Sequence, residues 1–505
     1  MAQADPASGI RTLSKLSGIR DMLPTHLLIL LLLLGTDVEN PWVSKAVPII
    51  EAGRADNASV EQRKKAMDAA WRADAWQAAA ELAAAAVQSG ESPLRGKAAR
   101  ALWRAGKFGE AEQLIDATDL AGADAPMLSS AITAALARGR TQDGLRLADR
   151  LEALENVSAS DLMTVVGARF MRNRLDGLPR LIRKVETMAN PKNGYPEIHI
   201  PEYLEGLAAY FESIGPAPVN RLDTPGTAPI EVARLVNLPM VEATINGHGP
   251  FRFILDTGGS IMVSIDSEVA EDIGLKTIVT GSVRGVSGKD SAGQALIDEF
   301  QIGSIRLSRV MSRVFEVRKA AAGSCDGIIG TGIFADARMK ADLVALRLHV
   351  TPSSADPGVG DAMELRLIGD AKMIVPIRLS GRPATALLDS GADVAAISPA
   401  TLAAVFPGKE FASMAAPMAG VGTGNQPTLS FAKGVDIEIG GRKYENFSGL
   451  GLDVLDHTLS PMLGMHIDAL IGMPVFRDMK SFTVDFPRAK LWVDWAEKPE
   501  SARKP

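Results

Sequence analysis

Cysteine is nearly absent from this chain of 505 residues, and its scarcity excludes several kinds of chemistry. The single thiol, Cys325, cannot form an intramolecular disulfide framework and offers no cysteine cluster to a metal ion. It stands at the start of a predicted buried strand, where a small buried thiol is expected rather than a nucleophile. The six histidines are scattered and form no His-Glu-x-x-His motif. We therefore expect no metal site and no cofactor.

An excess of basic charge is also missing. The 54 Lys and Arg residues and the 60 Asp and Glu residues are mixed along the chain and leave a net charge of −6. Such a balance lacks the cluster of basic residues that is typical of a nucleic-acid-binding protein, so no nucleic-acid partner is expected. The length of the chain exceeds what one hydrophobic core supports and predicts about three folding units.

The apolar run near the N-terminus is short. Residues 27–34 are all apolar, which is too few for a helix that spans a bilayer. Arg11, Lys15 and Arg20 precede them, and a positive region followed by a short apolar core is typical of a secretory signal. Residues 1–48 are interpreted as a signal or targeting segment, with export to the periplasm or the extracellular space, with or without membrane association. The alternative is a short buried or disordered segment, in which case the protein is cytoplasmic.

Two short stretches carry the same costly pattern. Residues 253–258 read Phe-Ile-Leu-Asp-Thr-Gly, and residues 386–391 read Ala-Leu-Leu-Asp-Ser-Gly. In each stretch an apolar strand runs directly into an aspartate that is pushed toward the protein interior, where a carboxylate is expensive. The glycine allows the backbone to turn closely at that point. Two copies predict two lobes that bring Asp256 and Asp389 face to face.

The similarity extends to both sides of these motifs. Upstream, an alternating strand ends in a glycine turn in each copy, at residues 241–247 and 375–381. Downstream, a glycine-rich segment leads to an apolar-apolar-glycine strand, at residues 327–330 and 469–472. The glycine-rich segments contain Gly281, Gly285 and Gly288 in the first copy, and Gly420, Gly422 and Gly424 in the second.

This order of motifs resembles the aspartic peptidases, especially their retropepsin-like and bacterial members. The resemblance covers residues 236–497 and implies an all-β, double-lobed catalytic half, with lobe 1 at 236–352, a linker at 353–365 and lobe 2 at 366–497. Because one chain supplies both lobes, the catalytic unit is predicted to be monomeric. Gly259 departs from the family pattern, which usually has Ala or Ser there, whereas Ala392 fits it.

The resemblance also implies a mechanism and a polypeptide substrate. The two carboxyls share one proton, and the ionised member activates a water molecule that attacks the peptide carbonyl, without metal or cofactor. The neighbouring hydroxyls brace the two loops, and glycine-rich hairpins close over the substrate as flaps. The residues so implied are the catalytic Asp256 and Asp389, the supporting Thr257, Gly258, Ser390 and Gly391, and the flap candidates Gly285, Gly288, Gly422 and Gly424.

Residues 49–215 are rich in Ala, Leu, Arg and Glu and carry a different repeat. Turn residues recur with a period of about 34, which resembles tetratricopeptide repeats. They are Asp74, Gly106, Gly139 and Asn173. Stacked helix pairs would bury their apolar faces on their neighbours and offer a surface to a polypeptide. The alternative is a helical spacer packed on the catalytic half. Residues 216–235 are predicted to be a linker, and residues 498–505 a tail.

Two functions remain open for this multidomain α and β chain. The first is an exported aspartic endopeptidase whose helical repeats dock the substrate or a protein partner. The second is a non-catalytic interaction protein with a degenerate protease fold. The presence of both aspartates, both hydroxyl residues and both following glycines favours the first, because a degenerate fold would be free to lose them.

Overall fold

The structure is a computed structural model that describes residues 43–189, 200–232, 237–285, 288–321, 323–369, 371–415 and 427–497. A helical half precedes a β-rich half, so the predicted multidomain α and β architecture is confirmed. Within these ranges no helix combines the length and the apolar character needed to cross a membrane. The apolar run at residues 27–34 lies outside the described residues.

The helical half is built from consecutive helices that pack against their neighbours in sequence. In the described part of the chain its α-helices are α1 (Val43–Arg54), α2 (Val60–Arg72), α3 (Trp76–Gln88), α4 (Arg95–Arg104), α5 (Phe108–Asp116), α6 (Ala125–Ala137), α7 (Thr141–Glu152), α8 (Ala159–Phe170), α9 (Leu178–Met188) and α10 (Ile200–Ile214).

The repeat of turn residues has a backbone cause. Asp74, Gly106, Gly139 and Asn173 have φ values of 54°, 75°, 72° and 53°, in the left-handed region that Gly, Asn and Asp tolerate best. They follow the ends of α2, α4, α6 and α8, and each therefore terminates the first helix of a pair. The period marks helix–turn–helix units, and their assignment to tetratricopeptide repeats stays a prediction.

Three β-sheets form the second half. A nine-stranded sheet belongs to lobe 1, an eight-stranded sheet to lobe 2, and a six-stranded sheet takes strands from both. The strands of lobe 1 and its approach are β1 (Arg221–Thr224), β2 (Gly226–Pro229), β3 (Glu231–Val232), β4 (Pro239–Ile245), β5 (His248–Asp256), β6 (Val263–Asp266), β7 (Val279–Gly285), β8 (Gly288–Ile302), β9 (Ile305–Phe315), β10 (Gly327–Gly330), β11 (Ala337–Asp342) and β12 (Arg347–Pro352).

The strands of lobe 2 repeat this plan. They are β13 (Asp361–Met363), β14 (Arg366–Ile368), β15 (Lys372–Leu379), β16 (Arg382–Leu388), β17 (Ala396–Ile397), β18 (Ser413–Ala415), β19 (Thr428–Ile439), β20 (Arg442–Leu452), β21 (Ala469–Ile471), β22 (Met479–Asp485) and β23 (Lys490–Trp495). Short helices occur at Ser267–Asp272, Val317–Ala320, Pro399–Val405, Ser460–Leu463 and Met473–Phe476.

The sequence repeat is an architectural repeat. Lobe 1 contains the strand order β4-β5-β10-β6-β9, and lobe 2 contains β15-β16-β21-β17-β20 in the same arrangement. In both lobes the apolar-apolar-glycine strand lies parallel to the strand that leads into the aspartate, with Gly330 opposite Asp256 and Ile471 opposite Leu388. The two motifs noted in each copy are therefore neighbouring strands.

The predicted domain boundaries differ from the structure at three places. Residues 216–235 contain β1, β2 and β3, which pair with β9, β12 and β4, because exposed sheet edges are stabilised by added strands. Residues 353–365 contain β13, which pairs with β23 in the six-stranded sheet. Residues 43–48 begin α1, where Ala46 is fully buried in the helical core. Neither linker is free of structure, and the helical half begins before residue 49.

The helical half packs on both lobes. Buried side chains from α1 to α6 share a core with lobe 2 residues that include Ile374 and Leu387, on the strands that lead to Asp389. Side chains from α6 to α10 share a core with Ile261 and Met262 of lobe 1. The Glu112 carboxylate of α5 also receives a hydrogen bond of 3.1 Å from the buried Arg366 of β14. The helices thus pack directly on the strands of both lobes, and this packing is compatible with a repeat solenoid and with a spacer.

Candidate active site

Asp256 and Asp389 meet across the interface between the lobes. Asp256 ends β5, and Asp389 directly follows β16, where its backbone N–H donates to the carbonyl of Ile471 at 2.9 Å. Their side chains are hydrogen-bonded to each other, and each residue keeps part of its surface exposed to solvent. Each Oδ1 also accepts a backbone N–H two residues later, from Gly258 at 2.8 Å and from Gly391 at 2.9 Å.

The electrostatic environment raises the pKa of both carboxyls, and it raises that of Asp389 well above its usual value. Burial raises the pKa of both, because protein replaces the water that would solvate a charge. For Asp389 the negative charge of Asp256 raises the pKa further, well above its usual range. For Asp256 the hydrogen bond with Asp389 offsets part of the effect of burial on the pKa. The pair therefore holds a single proton, and with it one negative charge, more readily than it ionises completely.

Thr257 and Ser390 join the two loops by four reciprocal hydrogen bonds. The Thr257 hydroxyl donates to the carbonyl of Leu388 at 2.9 Å and accepts the Ser390 N–H at 2.8 Å. The Ser390 hydroxyl donates to the carbonyl of Leu255 at 2.7 Å and accepts the Thr257 N–H at 3.0 Å. Both side chains are buried. Each hydroxyl bonds the two residues that flank the aspartate of the opposite lobe. This arrangement fixes the position of the two carboxylates.

Replacing these hydroxyls is expected to weaken the joint between the lobes. Thr257→Val or Ser390→Ala leaves two buried backbone groups without partners, and each orphaned group costs about 1–3 kcal/mol. Because the hydroxyls serve one network, the double variant should lose less than the sum of the single losses. Urea unfolding of all four proteins measures this coupling. Thr187→Val is the control, since that exposed hydroxyl bonds only within its own helix. A loss equal to that of the control would contradict the bracing role.

Glycine is required where the loops approach the opposite carboxylate. A Cβ atom on Gly258 would lie 2.6 Å from Oδ2 of Asp389, and one on Gly391 would lie 2.6 Å from Cγ of Asp256. The unusual Gly259 has a related steric basis. A Cβ atom there would lie 2.9 Å from Cα of Gly330 and 3.0 Å from Oδ2 of Asp256. The small residue at 259 keeps this loop clear of its own aspartate.

The flap candidates are described only in part. Gly285 and Gly288 face each other at the tip of the long β7–β8 hairpin of lobe 1. Gly422 and Gly424 lie outside the described residues, between β18 and β19. The base of the lobe 1 hairpin is held by α10, whose Tyr210 hydroxyl donates to the carbonyl of Ala295 at 3.0 Å. Flap closure over a substrate stays a prediction.

One residue near the pair was not anticipated from the sequence. Lys372 is 5% exposed, and its ammonium donates to the carbonyls of Gly258 at 3.0 Å and Gly259 at 2.8 Å. The available signal was a lysine at the start of an apolar strand, at the position where the first copy has Leu238.

Elsewhere, burial raises the pKa of the Cys325 thiol to about 11, so this thiol stays protonated at neutral pH. Within the described residues, no three His, Cys, Asp or Glu side chains group as metal ligands.

One comparison with known proteins, the match to a family model, agrees with this division into lobes. The model of a family described as "Aspartyl protease" matches residues 241–333 and 375–475, one segment in each lobe. No curated protein matches the chain. Among solved structures, the chain is similar to a retropepsin-like aspartic protease from Rickettsia conorii, with 19% identity, over 25% of this chain and 90% of that chain, at a TM-score of 0.18.

Proposed function

We propose that this protein is an aspartic endopeptidase that hydrolyses peptide bonds with a water molecule activated between Asp256 and Asp389. The observation that carries the proposal is the hydrogen-bonded carboxyl pair, partly exposed to solvent and held by the reciprocal Thr257–Ser390 bonds. The family match to both lobes supports it independently. The sequence leaves both aspartates equivalent, and the contact of Lys372 with the loop that carries Asp256 supports a division of roles between them.

In this mechanism the Asp256 carboxylate accepts a proton from the bound water, and the oxygen of that water forms a bond to the peptide carbonyl carbon. Asp389 donates its proton to the carbonyl oxygen, which gives a neutral tetrahedral diol. Collapse of the diol breaks the C–N bond, while Asp256 passes the proton it took from water to the departing nitrogen and Asp389 takes a proton from a diol hydroxyl, which restores the pair. The two carboxyls titrate as a coupled pair, so a pH profile would report pair values rather than single-residue values.

The helical half is assigned a docking role for the polypeptide substrate or a protein partner. A groove of about 510 Å³ lies between its helices and the β-rich half, and supports this part of the proposal. Both halves contribute to its lining, which includes Trp71, Met163, Met462 and Phe486. Export, and with it a periplasmic or extracellular site of action, rests on the residues before position 48 alone.

The competing proposal is a non-catalytic interaction protein. It would use the same groove for binding. It would have no need for a carboxyl pair whose burial raises the pKa of both members at a cost in stability above acidic pH. The completeness of the pair and its supporting bonds favours the peptidase.

Peptide cleavage by the full chain from pH 3 to pH 7 tests the proposal. A broad peptide library should be cleaved, and a statine-type mimic of the tetrahedral diol should block cleavage. The double variant Asp256→Asn with Asp389→Asn should be inactive under the same conditions. Cleavage that survives in the double variant would identify a contaminant or another site. A folded wild-type protein that cleaves nothing across this range would favour the interaction protein.

A further inference from the structure

Lys372 lies in an unusual setting for a lysine. Lysine side chains are almost never fully buried unless they are paired, yet this one is 5% exposed at the first position of β15. In the described part of the chain no carboxylate lies within ion-pair distance of it. Its ammonium instead reaches from lobe 2 to lobe 1, where it donates to the carbonyls of Gly258 and Gly259. These carbonyls belong to the loop that carries Asp256.

The negative charge that Lys372 faces is that of the carboxyl pair. The ionisable groups that act most strongly on each carboxyl are the other carboxyl and Lys372. Its positive charge lowers the pKa of both, against the larger effect of burial. A pair that holds one proton has a net charge of −1, which one ammonium balances. The burial of the lysine is therefore explained by the pair, not by a separate salt bridge.

The architectural repeat shows that this charge comes from one lobe only. In the strand ladders, Met240 pairs with Ile254 and Ile374 pairs with Leu387, so the residues two positions earlier, Leu238 and Lys372, are equivalent. Leu238 is a buried apolar residue. The corresponding loops are also held differently.

In lobe 2 the Ala392 carbonyl accepts the backbone N–H of Met473 at 2.8 Å. In lobe 1 the equivalent Gly259 carbonyl accepts the side chain of Lys372. The two lobes therefore present the same fold to the pair but not the same charge.

We propose that Lys372 is a positioning residue of the carboxyl pair, which tethers the Asp256 loop to lobe 2 and supplies the positive charge that makes two otherwise equivalent aspartates unequal. This inference rests on the proposed peptidase function and deepens it. The charge favours the ionised form on the loop it contacts, so Asp256 serves as the base and Asp389 keeps the proton. The tether holds that loop in register with the opposite lobe.

The proposal predicts the direction of a pH shift. A positive charge stabilises the ionised forms of the pair. Both limbs of the pH–rate profile therefore lie at lower pH with lysine than with a neutral side chain. An opposite charge within about 4–6 Å lowers a carboxyl pKa by about 1–3 units. Because Lys372 lies beyond ion-pair distance, loss of its charge should move both limbs to higher pH by about one unit, at the lower end of that span. A purely structural role would lower the rate at every pH without moving the limbs.

Three substitutions separate the charge from the tether. Lys372→Gln keeps a hydrogen-bond donor and loses the charge, Lys372→Met loses both, and Lys372→Arg keeps both. Leu238→Met, at the equivalent position, controls for a change of shape in a buried strand end. The pH dependence of kcat/KM should shift upward for Gln and Met, and should keep its wild-type position for Arg and for the Leu238 control, whatever the absolute rates. If the limbs of the pH profile of Lys372→Gln lie at the same pH values as those of the wild type, the proposal is overturned.

A titration that needs no turnover distinguishes this inference from the proposed function. Carbon-13 NMR of carboxyl-labelled aspartate in the full chain, assigned with Asp256→Asn and Asp389→Asn, reports protonation of the pair directly. Both resonances should titrate at higher pH in Lys372→Gln than in wild type. If the wild type cleaves nothing but this shift is present, the peptidase proposal fails and the role of Lys372 stands. Unchanged titration contradicts the role of Lys372 even in an active enzyme.

Discussion

Asp256→Asn and Asp389→Asn are each expected to reduce kcat/KM by about 10²–10⁴-fold or more, because each removes one partner of the proton transfers in the proposed reaction. The double variant should be little worse than either single variant, since residues that act as a unit are not additive. Asp436→Asn is a matched control on lobe 2, where the carboxylate accepts the backbone N–H of Asn446 on the β19–β20 hairpin. Full activity in either single variant would contradict the shared pair.

The same substitution at position 389 should raise stability at neutral pH. The pKa of Asp389 in the folded state is raised well above its usual value, chiefly by burial and then by the charge of Asp256. Its contribution to stability is therefore complete below the unfolded pKa of about 3.9, and it is lost as the pH rises through the folded value. Asparagine does not ionise, so its contribution to stability does not fall as the pH rises.

Thermal unfolding at pH 7 and pH 3 measures this difference. Asp389→Asn should unfold at a higher temperature than wild type at pH 7, and the difference should shrink toward pH 3, where both side chains are neutral. A variant that loses activity but is less stable than wild type at pH 7 would show that the carboxyl is not held in a costly environment. Activity and stability thus change in opposite directions at one residue if the site is built for catalysis.

Gly258→Ala and Gly391→Ala are expected to disable the pair by sterics alone. The new Cβ atom would lie 2.6 Å from Oδ2 of Asp389 in the first case and 2.6 Å from Cγ of Asp256 in the second. The loops must move apart, at a cost of about 1–3 kcal/mol for an overpacked site. A displacement of about 1 Å at the reacting groups is enough to lower the rate by about 10²-fold.

Gly109→Ala is the control for this pair of substitutions. Gly109 is an exposed residue of α5 outside the groove, and no neighbouring atom approaches its Cβ position within 4 Å. Alanine there should leave cleavage unchanged and stabilise the helix by about 0.5–1 kcal/mol. Assays of kcat/KM and urea unfolding on all three variants separate the steric effect from a general effect of alanine. Unchanged activity in Gly258→Ala would show that the loops tolerate a wider pair.

Much of the site was predictable because its signals are local and occur twice. An apolar strand that runs into Asp-Thr-Gly or Asp-Ser-Gly has few explanations, and its recurrence before an apolar-apolar-glycine strand indicated both aspartates. The turn residues at 74, 106, 139 and 173 were visible for the same reason, since a left-handed backbone restricts the residue type. The strands in residues 216–235 and 353–365 were not visible, because short edge strands depend on a distant partner for their hydrogen bonds.

The sequence by itself determined the two-lobed plan, the two carboxyls, their hydroxyl braces and the glycines beside them. These features depend on residue types within a few positions of each other, where backbone geometry and burial leave little choice. Only the tertiary structure decided how the lobes differ. The contact of Lys372 with the opposite loop joins residues more than a hundred positions apart. The packing of the helical half on both lobes also joins segments that are distant in sequence. Such contacts follow from the relative placement of whole sheets and helices, which no local pattern encodes.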